Sequence, residues 1–409
     1  MAGTPTAVAG ARRVMDITSA DRVRNVSPVV LMLQDDRKNL MTYLQGLGTE
    51  STDNYEFEWI VDEIIPNRGT VGVSAASAAS GVSGVLDLSG TSNSVYVRID
   101  EQLHFPVNGE IARVSATPSY ASAVDVLRNV PGGATGTLPA GTLWINIGDA
   151  RGALTRLYST SAGSSLQALS VNNAFKTNYT QTFEEPFGVA RRQSKSKNYS
   201  GKDENTLKTK ALMQHCEKIE GAFWYGKKLE ETNDRTSTGG VLYWQNLVAS
   251  GNIETIPTLT QEEFDDFVLR ITRYGNRKKR VLFCSRFIAT KISQWAYANQ
   301  RVQSTGSSVK YGVHIDSIKT AGGCDVDIVT ADALEGMPGS TTLGTHDGTA
   351  MLLEMTGKKK VVFGGDDLKL AEGLEYNDQI GDSTSAYLSD VGYKPGDPRK
   401  DGQISGVTA

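Results

Sequence analysis

The stretch from Asp203 to Glu231 constrains this chain most, because it encodes one long helix with no proline to interrupt it. Ser200-Gly-Lys-Asp203 supplies a capping hydroxyl and, three residues on, an acid that reaches back, the pattern of a helix start. Leu207, Ala211, Leu212, His215, Ile219, Ala222 and Phe223 then recur largely at spacings of three and four, which makes one apolar stripe. Asp203 and Glu204 suit the positive end of the helix dipole, and Lys227 and Lys228 the negative end. A helix over about 202–231 would span roughly 40 Å, long for a mixed chain and suited to carrying other units. Just upstream, Phe175, Thr177, Tyr179, Gln181 and Phe183 alternate with Lys176, Asn178, Thr180 and Thr182. That period of two predicts a strand with an aromatic face and a polar face, stopped by Pro186 and Gly188.

The whole chain, 409 residues, suffices for two or three cores. Its net charge of −4 creates no global basic field. Three distant cysteines, Cys216, Cys284 and Cys324, give neither a disulfide framework nor a zinc motif. No apolar run approaches the ~20 residues of a membrane span, and residues 1–11 lack a signal-peptide core.

Residues 1–54 read as an arm. Its first 30 residues, with scattered arginines, could not fold alone and are expected to lean on a neighbouring subunit. Tyr55-Glu-Phe-Glu-Trp59 alternates as a strand. Residues 73–90 are low-complexity Ala, Ser, Gly and Val, expected as an extended linker. Short strands at 95–99, 111–114, 124–130 and 143–147, between Pro/Gly turns, predict a small β-domain over about 72–148. After the long helix, Thr236-Ser-Thr-Gly-Gly240 marks a hinge. An α/β module follows: a helix capped by Thr260 and Glu263, a strand at 281–284, a helix bearing Phe287, Ile288, Ile292 and Trp295, and strands at 326–329, 351–354 and 360–363. From Asp366 the sequence turns acidic and is expected to end as a Gly/Pro/Asp tail over 393–409.

No catalytic constellation emerges. The four histidines are never at metal-ligand spacing, and His215 on the helix stripe reads as a core histidine. There is no nucleophile elbow, phosphate loop or dinucleotide fingerprint. Gly364-Gly-Asp-Asp367 lacks partner acids and reads as a solvated turn, and Arg277-Lys-Lys-Arg280 as an exposed one. Arg191, Arg192, Lys195 and Lys197 form a basic connector ahead of the long helix. A solvated connector is the simpler reading, and nonspecific contact with nucleic-acid phosphates is the functional one. Gly221 and Gly226 each cost about 1 kcal/mol within a helix, which predicts a close neighbour on that face.

In order, arm, β-decorated loop, strand, long helix, α/β module and returning strands resemble the α+β fold of tailed-bacteriophage major capsid proteins, the Hong Kong ninety-seven-type fold. Tyr55-Glu-Phe-Glu-Trp-Ile-Val-Asp-Glu63, Phe105-Pro-Val-Asn-Gly-Glu-Ile111 and Ile219-Glu-Gly-Ala-Phe-Trp-Tyr-Gly-Lys227 with Arg235-Thr-Ser-Thr-Gly-Gly240 are similar to the branch with a β-insertion in its extended loop. The resemblance covers about residues 30–365. It implies an extended loop over 55–168, a peripheral domain over 169–238 and 350–392 with the helix as its spine, and an axial domain over 239–349.

It further implies a non-enzymatic shell protein without cofactor or metal, found in the virion and made in the host bacterial cytoplasm. Its partners would be itself, as pentamers and hexamers, with portal, decoration and scaffolding proteins and packaged double-stranded DNA. Only a short arm precedes the motifs, so scaffolding is expected on a separate protein. Trp59, Glu63, Phe105, Trp224 and Gly226 become subunit-interface or packing positions, and Arg191, Arg192, Lys195 and Lys197 the DNA-facing ones. The rival from another class is a secreted or surface β-rich adhesin with a helical stalk, which the absent signal-peptide core disfavours; an enzyme ranks third.

Overall fold

A computed structural model describes residues 39–62, 67–73, 75, 83–88, 97–115, 123–128, 130, 136–149, 174–196, 203–231, 235–299, 317–335, 347–374 and 382–408. The arm over residues 1–30, Glu63, Lys197 and the Ser200 cap lie outside the described residues. The chain divides into two compact units, one comprising the segments up to Trp59 and from Lys176 on, the other Ile60–Phe175.

The first segment of the larger unit comprises helix α1 (Asn39–Gly46) and strands β1 (Thr49–Thr52) and β2 (Glu56–Val61). Leu40 and Leu44, one turn apart, turn the same face of α1 into the core. Phe57 and Trp59 are buried while Glu58 is exposed, so the alternation read at 55–59 corresponds to a half-buried strand.

The smaller unit is an antiparallel six-stranded sheet. Its strands are β3 (Arg68–Thr70), β4 (Ser83–Asp87), β5 (Glu101–Phe105), β6 (Glu110–Val114), β7 (Ala123–Leu127) and β8 (Leu143–Asp149), in the order β3-β8-β5-β6-β7-β4. Leu103 and Phe105, Ala112 and Val114, and Val124 and Val126 point inward at period two, closing a core with Val71, Leu86 and Trp144. Two expectations are corrected. Part of the presumed linker is strand β4, because Leu86 and Leu88 find burial against this core. The strand placed at 95–99 is absent over its described part, 97–99; β5 follows it instead, where Gln102 and His104 alternate with Leu103 and Phe105. Phe105 is wholly buried, with Pro106 to Gly109 turning the chain into β6.

One charged pair sits inside this core. Arg128 Nε and Nη2 each donate to one oxygen of Glu110, both at 2.6 Å, and Nη2 also reaches the Gly136 carbonyl at 2.8 Å. Breaking a buried pair strands one charge. Arg128→Leu should therefore destabilise this unit by about 3–5 kcal/mol, whereas the double replacement Arg128→Leu with Glu110→Leu should recover most of the loss. Hydrogen exchange of the β5–β8 amides under native conditions reads this locally. Equal protection in the single and double variants would contradict it.

The larger unit continues with β9 (Ala174–Tyr179), β10 (Gln181–Ala190), α2 (Arg191–Lys195), α3 (Asp203–Tyr225), β11 (Leu229–Glu231) and β12 (Arg235–Ser237). Then come α4 (Val241–Val248), β13 (Ile253–Thr255), α5 (Gln261–Ile271), β14 (Lys279–Cys284), α6 (Arg286–Asn299), β15 (Ser317–Lys319) and β16 (Asp325–Thr330). The last elements are β17 (Ala350–Leu353), β18 (Lys359–Phe363), β19 (Lys369–Ala371), β20 (Asp382–Lys394) and β21 (Gly402–Ser405). One sheet runs β1-β18-β20-β10, with β19 also on β20, and carries α3 across it. A second, mixed sheet runs β13-β21-β17-β14-β16-β15, with α5 and α6 closing its core. β2 with β9, and β11 with β12, form two-stranded ribbons.

The long helix is real but shorter than read: 23 residues ending at Tyr225, after which residues 229–231 become strand. Ala211, His215, Ile219 and Phe223 of the expected stripe are buried, and so are Cys216, Glu220 and Trp224 beside it, while Leu207, Leu212 and Ala222 are half-buried. The strand expected to stop at Pro186 breaks instead at Thr180 and then runs through Pro186 and Gly188 to Ala190. β10 lies at the sheet's edge, where a missing ladder donor is tolerated. The strand at 360–363 belongs to the first sheet, beside β1, and not to the α/β module. The expected tail is also corrected: β20 extends to Lys394, and β21 occupies an interior slot between β13 and β17. The capping box at Thr260 and Glu263 forms as read.

Candidate functional site

Of the positions that the sequence singled out, Trp224 and Gly226 lie at the end of α3, while Phe105 belongs to the smaller unit and Arg191, Arg192 and Lys195 to α2. Glu220, buried on α3, accepts from Leu40 N–H at 3.0 Å, Met41 N–H at 2.8 Å and, one turn on, Trp224 Nε1 at 2.9 Å. A side-chain carboxylate of α3 thus satisfies the first free donors of α1, where the helix dipole also favours it. Burial pushes the Glu220 acid up, opposed by those three donors. Trp224 is fully buried, with its ring edge-on to Phe283 of β14 at 5.5 Å. Within this chain it is a packing position.

Beyond the last turn, the backbone at Gly226 and the turn 238–240 come into direct contact. Gly240 N–H donates to the Gly226 carbonyl at 2.8 Å. A Cβ at Gly226 would lie 2.5 Å from the Ala222 oxygen and clash with the Thr238 oxygen; one at Gly240 would lie 2.6 Å from the Phe223 oxygen. The close neighbour expected at this glycine is therefore present, although Gly226 follows the helix instead of lying in it. Gly221 has open space around it, so the same reading fails there.

Asn178, read from the sequence only as one residue of a strand's polar face, completes the junction. It is fully buried: Nδ2 donates to the carbonyls of Gly239 at 3.0 Å and Tyr393 at 2.7 Å, while Oδ1 accepts from Gly239 N–H at 2.8 Å. Thr238 Oγ1 accepts from Tyr393 N–H at 3.0 Å. The one available signal was an asparagine inside a strand, a residue depleted there unless it has a task. Trp59 adds an aromatic buttress, its Nε1 donating to the Gly396 carbonyl at 2.9 Å and its ring edge-on to Trp244 at 5.3 Å.

Buried charges pin the later segments. Arg280, expected in an exposed turn, is buried instead. Its Nη1 donates to Glu354 Oε2 at 2.9 Å and to the Lys400 carbonyl at 2.9 Å, and Nη2 to the Tyr274 carbonyl at 2.6 Å. Lys358 donates to Asp401 Oδ2 at 2.6 Å and to the Pro395 carbonyl at 2.8 Å. Lys360 pairs with Asp367 at 2.6 Å, which gives one acid of the Gly-Gly-Asp-Asp turn a structural role.

His215 is a core histidine, as read. Its Nε2 shares a 2.7 Å hydrogen bond with Ser389 Oγ, between the rings of Phe183 and Tyr387. Burial lowers its pKa below 6.5. The three cysteines are buried and in no disulfide, and burial pushes the Cys284 thiol up to about 12, far from a reactive thiolate. No group of His, Cys, Asp and Glu among the described residues could hold a metal ion, and no described helix is long and apolar enough to cross a membrane. Arg191, Arg192 and Lys195 lie on the short α2, with Arg192 and Lys195 exposed.

Two outcomes follow from this geometry. Gly226→Ala forces backbone apart at the junction and should cost about 1–3 kcal/mol in urea unfolding; Gly221→Ala should be neutral or stabilising by up to about 1 kcal/mol. For His215 the folded chain binds fewer protons than the unfolded one below pH 6.5, so its contribution is complete above that value and is lost as the pH falls. The melting temperature should drop between about pH 7.5 and 5, and less in His215→Gln. Identical drops in the two proteins would assign the acid sensitivity elsewhere.

Comparison with known proteins accords with this architecture. The capsid of cyanophage A-1(L) superposes with a TM-score of 0.55 at 10% identity, covering 96% of this chain and 98% of that one. The capsid of a native GTA particle gives 0.51 at 10% identity, covering 97% and 98%. At such identities the likeness is one of fold. No curated protein matches the sequence significantly. The profile of the SU10 major capsid protein family, however, matches residues 7–388, nearly the whole chain. The chain belongs to the SU10 major capsid protein family, whose members are structural proteins of phage shells.

Proposed function

We propose that this shell protein assembles as pentamers and hexamers of itself into an icosahedral head around double-stranded DNA. The observation that carries the reading is the α3 junction: segments near residues 40, 178, 239 and 393 are locked together by buried bonds that involve no catalytic group. Such a body suits a stiff tile. Distinct contact patches that close on themselves would then build rings. In this reading the sheet under α3 is the peripheral domain, the sheet with α5 and α6 the axial domain, and the smaller β unit the extended loop. Trp59, Phe105, Trp224 and Gly226 serve by holding each body in shape, and subunit contacts form elsewhere. Arg192 and Lys195, exposed on α2, suit nonspecific contact with DNA phosphates. Scaffolding, portal and decoration would come from separate proteins, and assembly would take place in the host cytoplasm. The protein would act without enzymatic chemistry or cofactor.

Light scattering after size exclusion should show rings or particles far above the single-chain mass. The same particles, boiled in detergent without reductant, should collapse to one band, because the cysteines are buried and in no disulfide. A monomer in every salt condition would refute assembly, and a ladder would refute noncovalent closure.

A further inference from the structure

One concave apolar surface of the larger unit is left open by its own chain. Tyr225 and Lys227, just past α3, with Leu242, Tyr243, Asn246 and Leu247 of α4, line a groove of about 370 Å³. Leu247 is 61% exposed and Tyr225 40%. Lys227 is the only charged lining group and forms no ion pair among the described residues. An apolar wall beside an unpaired cation fits an apolar side chain flanked by carboxylates.

The chain carries that feature too. On α5, Glu262, Asp266 and Leu269 follow at intervals of four and three, so they share the outer face. Phe264, Phe267, Val268 and Ile271 of the same helix are buried. Leu269 is 60% exposed, and neither acid forms an ion pair among the described residues. Leu269 lies against Gly322, in the turn that precedes β16. Tyr225 donates its hydroxyl to the Ala333 carbonyl, just past the end of β16. Six residues of strand separate those points by roughly 20 Å. Groove and acid-flanked leucine therefore lie toward opposite ends of one strand and cannot meet within a chain. Patches that fit each other, and not themselves, make a head-to-tail contact, the kind that propagates around a ring.

We propose that the Glu262–Asp266–Leu269 face of one copy seats in the Tyr225–Leu247 groove of a second copy, with Asp266 pairing with Lys227. The proposal rests on the reading that the chain assembles with itself. Its first test is the full chain carrying Leu247→Cys and Leu269→Cys, assembled, oxidised and denatured without reductant. A ladder of disulfide-linked multimers, absent from either single variant, is the expected result. The second test is charge reversal: Lys227→Asp and Asp266→Lys should each lower particle yield about tenfold, and the double variant should recover it. If the unaltered chain forms particles but neither the ladder nor the recovery is seen, the docking is wrong and the shell reading stands. If the unaltered chain never assembles, both fall. A different protein, or the β5–β6 hairpin of a neighbour, in the groove would leave the double-cysteine variant as single chains on the gel and would also overturn the proposal.

Discussion

Backbone contact at the end of α3 is the constraint on which the larger unit depends. Gly226 and Gly240 let two main-chain segments approach to hydrogen-bonding distance with no side chain between them. That approach places Thr238 and Gly239 where one buried asparagine, Asn178, can bind them and the β20 backbone together. It also sets α4 so that Trp244 meets Trp59. Separating the segments by a methyl group would misplace every partner of Asn178, and an unsatisfied buried amide costs more than the bond it loses.

Charge is used in the same way. Glu220, Arg280, Lys358 and Lys360 are buried and each is answered by a specific partner from another part of the chain. Such pairs contribute little net stability once desolvation is counted, but leaving one unanswered is costly. Their effect is to exclude alternatives. Any arrangement that shifts α1, the 395–401 segment or the 366–367 turn leaves a bare charge in the interior.

Local regularities were legible in the sequence, and pairings across distance were not. The capping box at Thr260, the alternation at 55–59 and the α3 stripe are each set by neighbours within a few residues, so periodicity reveals them. Asn178 and Arg280 were not legible as buried groups because the partners of Asn178 lie 60 to 215 residues away, and Glu354 and the Lys400 carbonyl lie 74 and 120 residues from Arg280. Gly402–Ser405 has little hydrophobicity of its own; its place in a sheet is decided by β13 and β17 on either side. The helix was drawn six residues too long because Lys227–Glu231 keeps helix-compatible composition, and only the tertiary contact at Gly226 ends it.

The interior position of β21 bears on the order in which the molecule can be made. Thr255 of β13 and Ser405 of β21 stand 150 residues apart, and the second sheet stays split until both exist. At about 5–20 residues per second β13 waits roughly 8–30 s for its neighbour. Until then β13 and, once it is made, β17 keep unpaired edges, and the Arg280 and Lys358 anchors lack the carbonyl and carboxylate groups of residues 395–401. The second sheet of a nascent chain therefore cannot close until synthesis has passed residue 405.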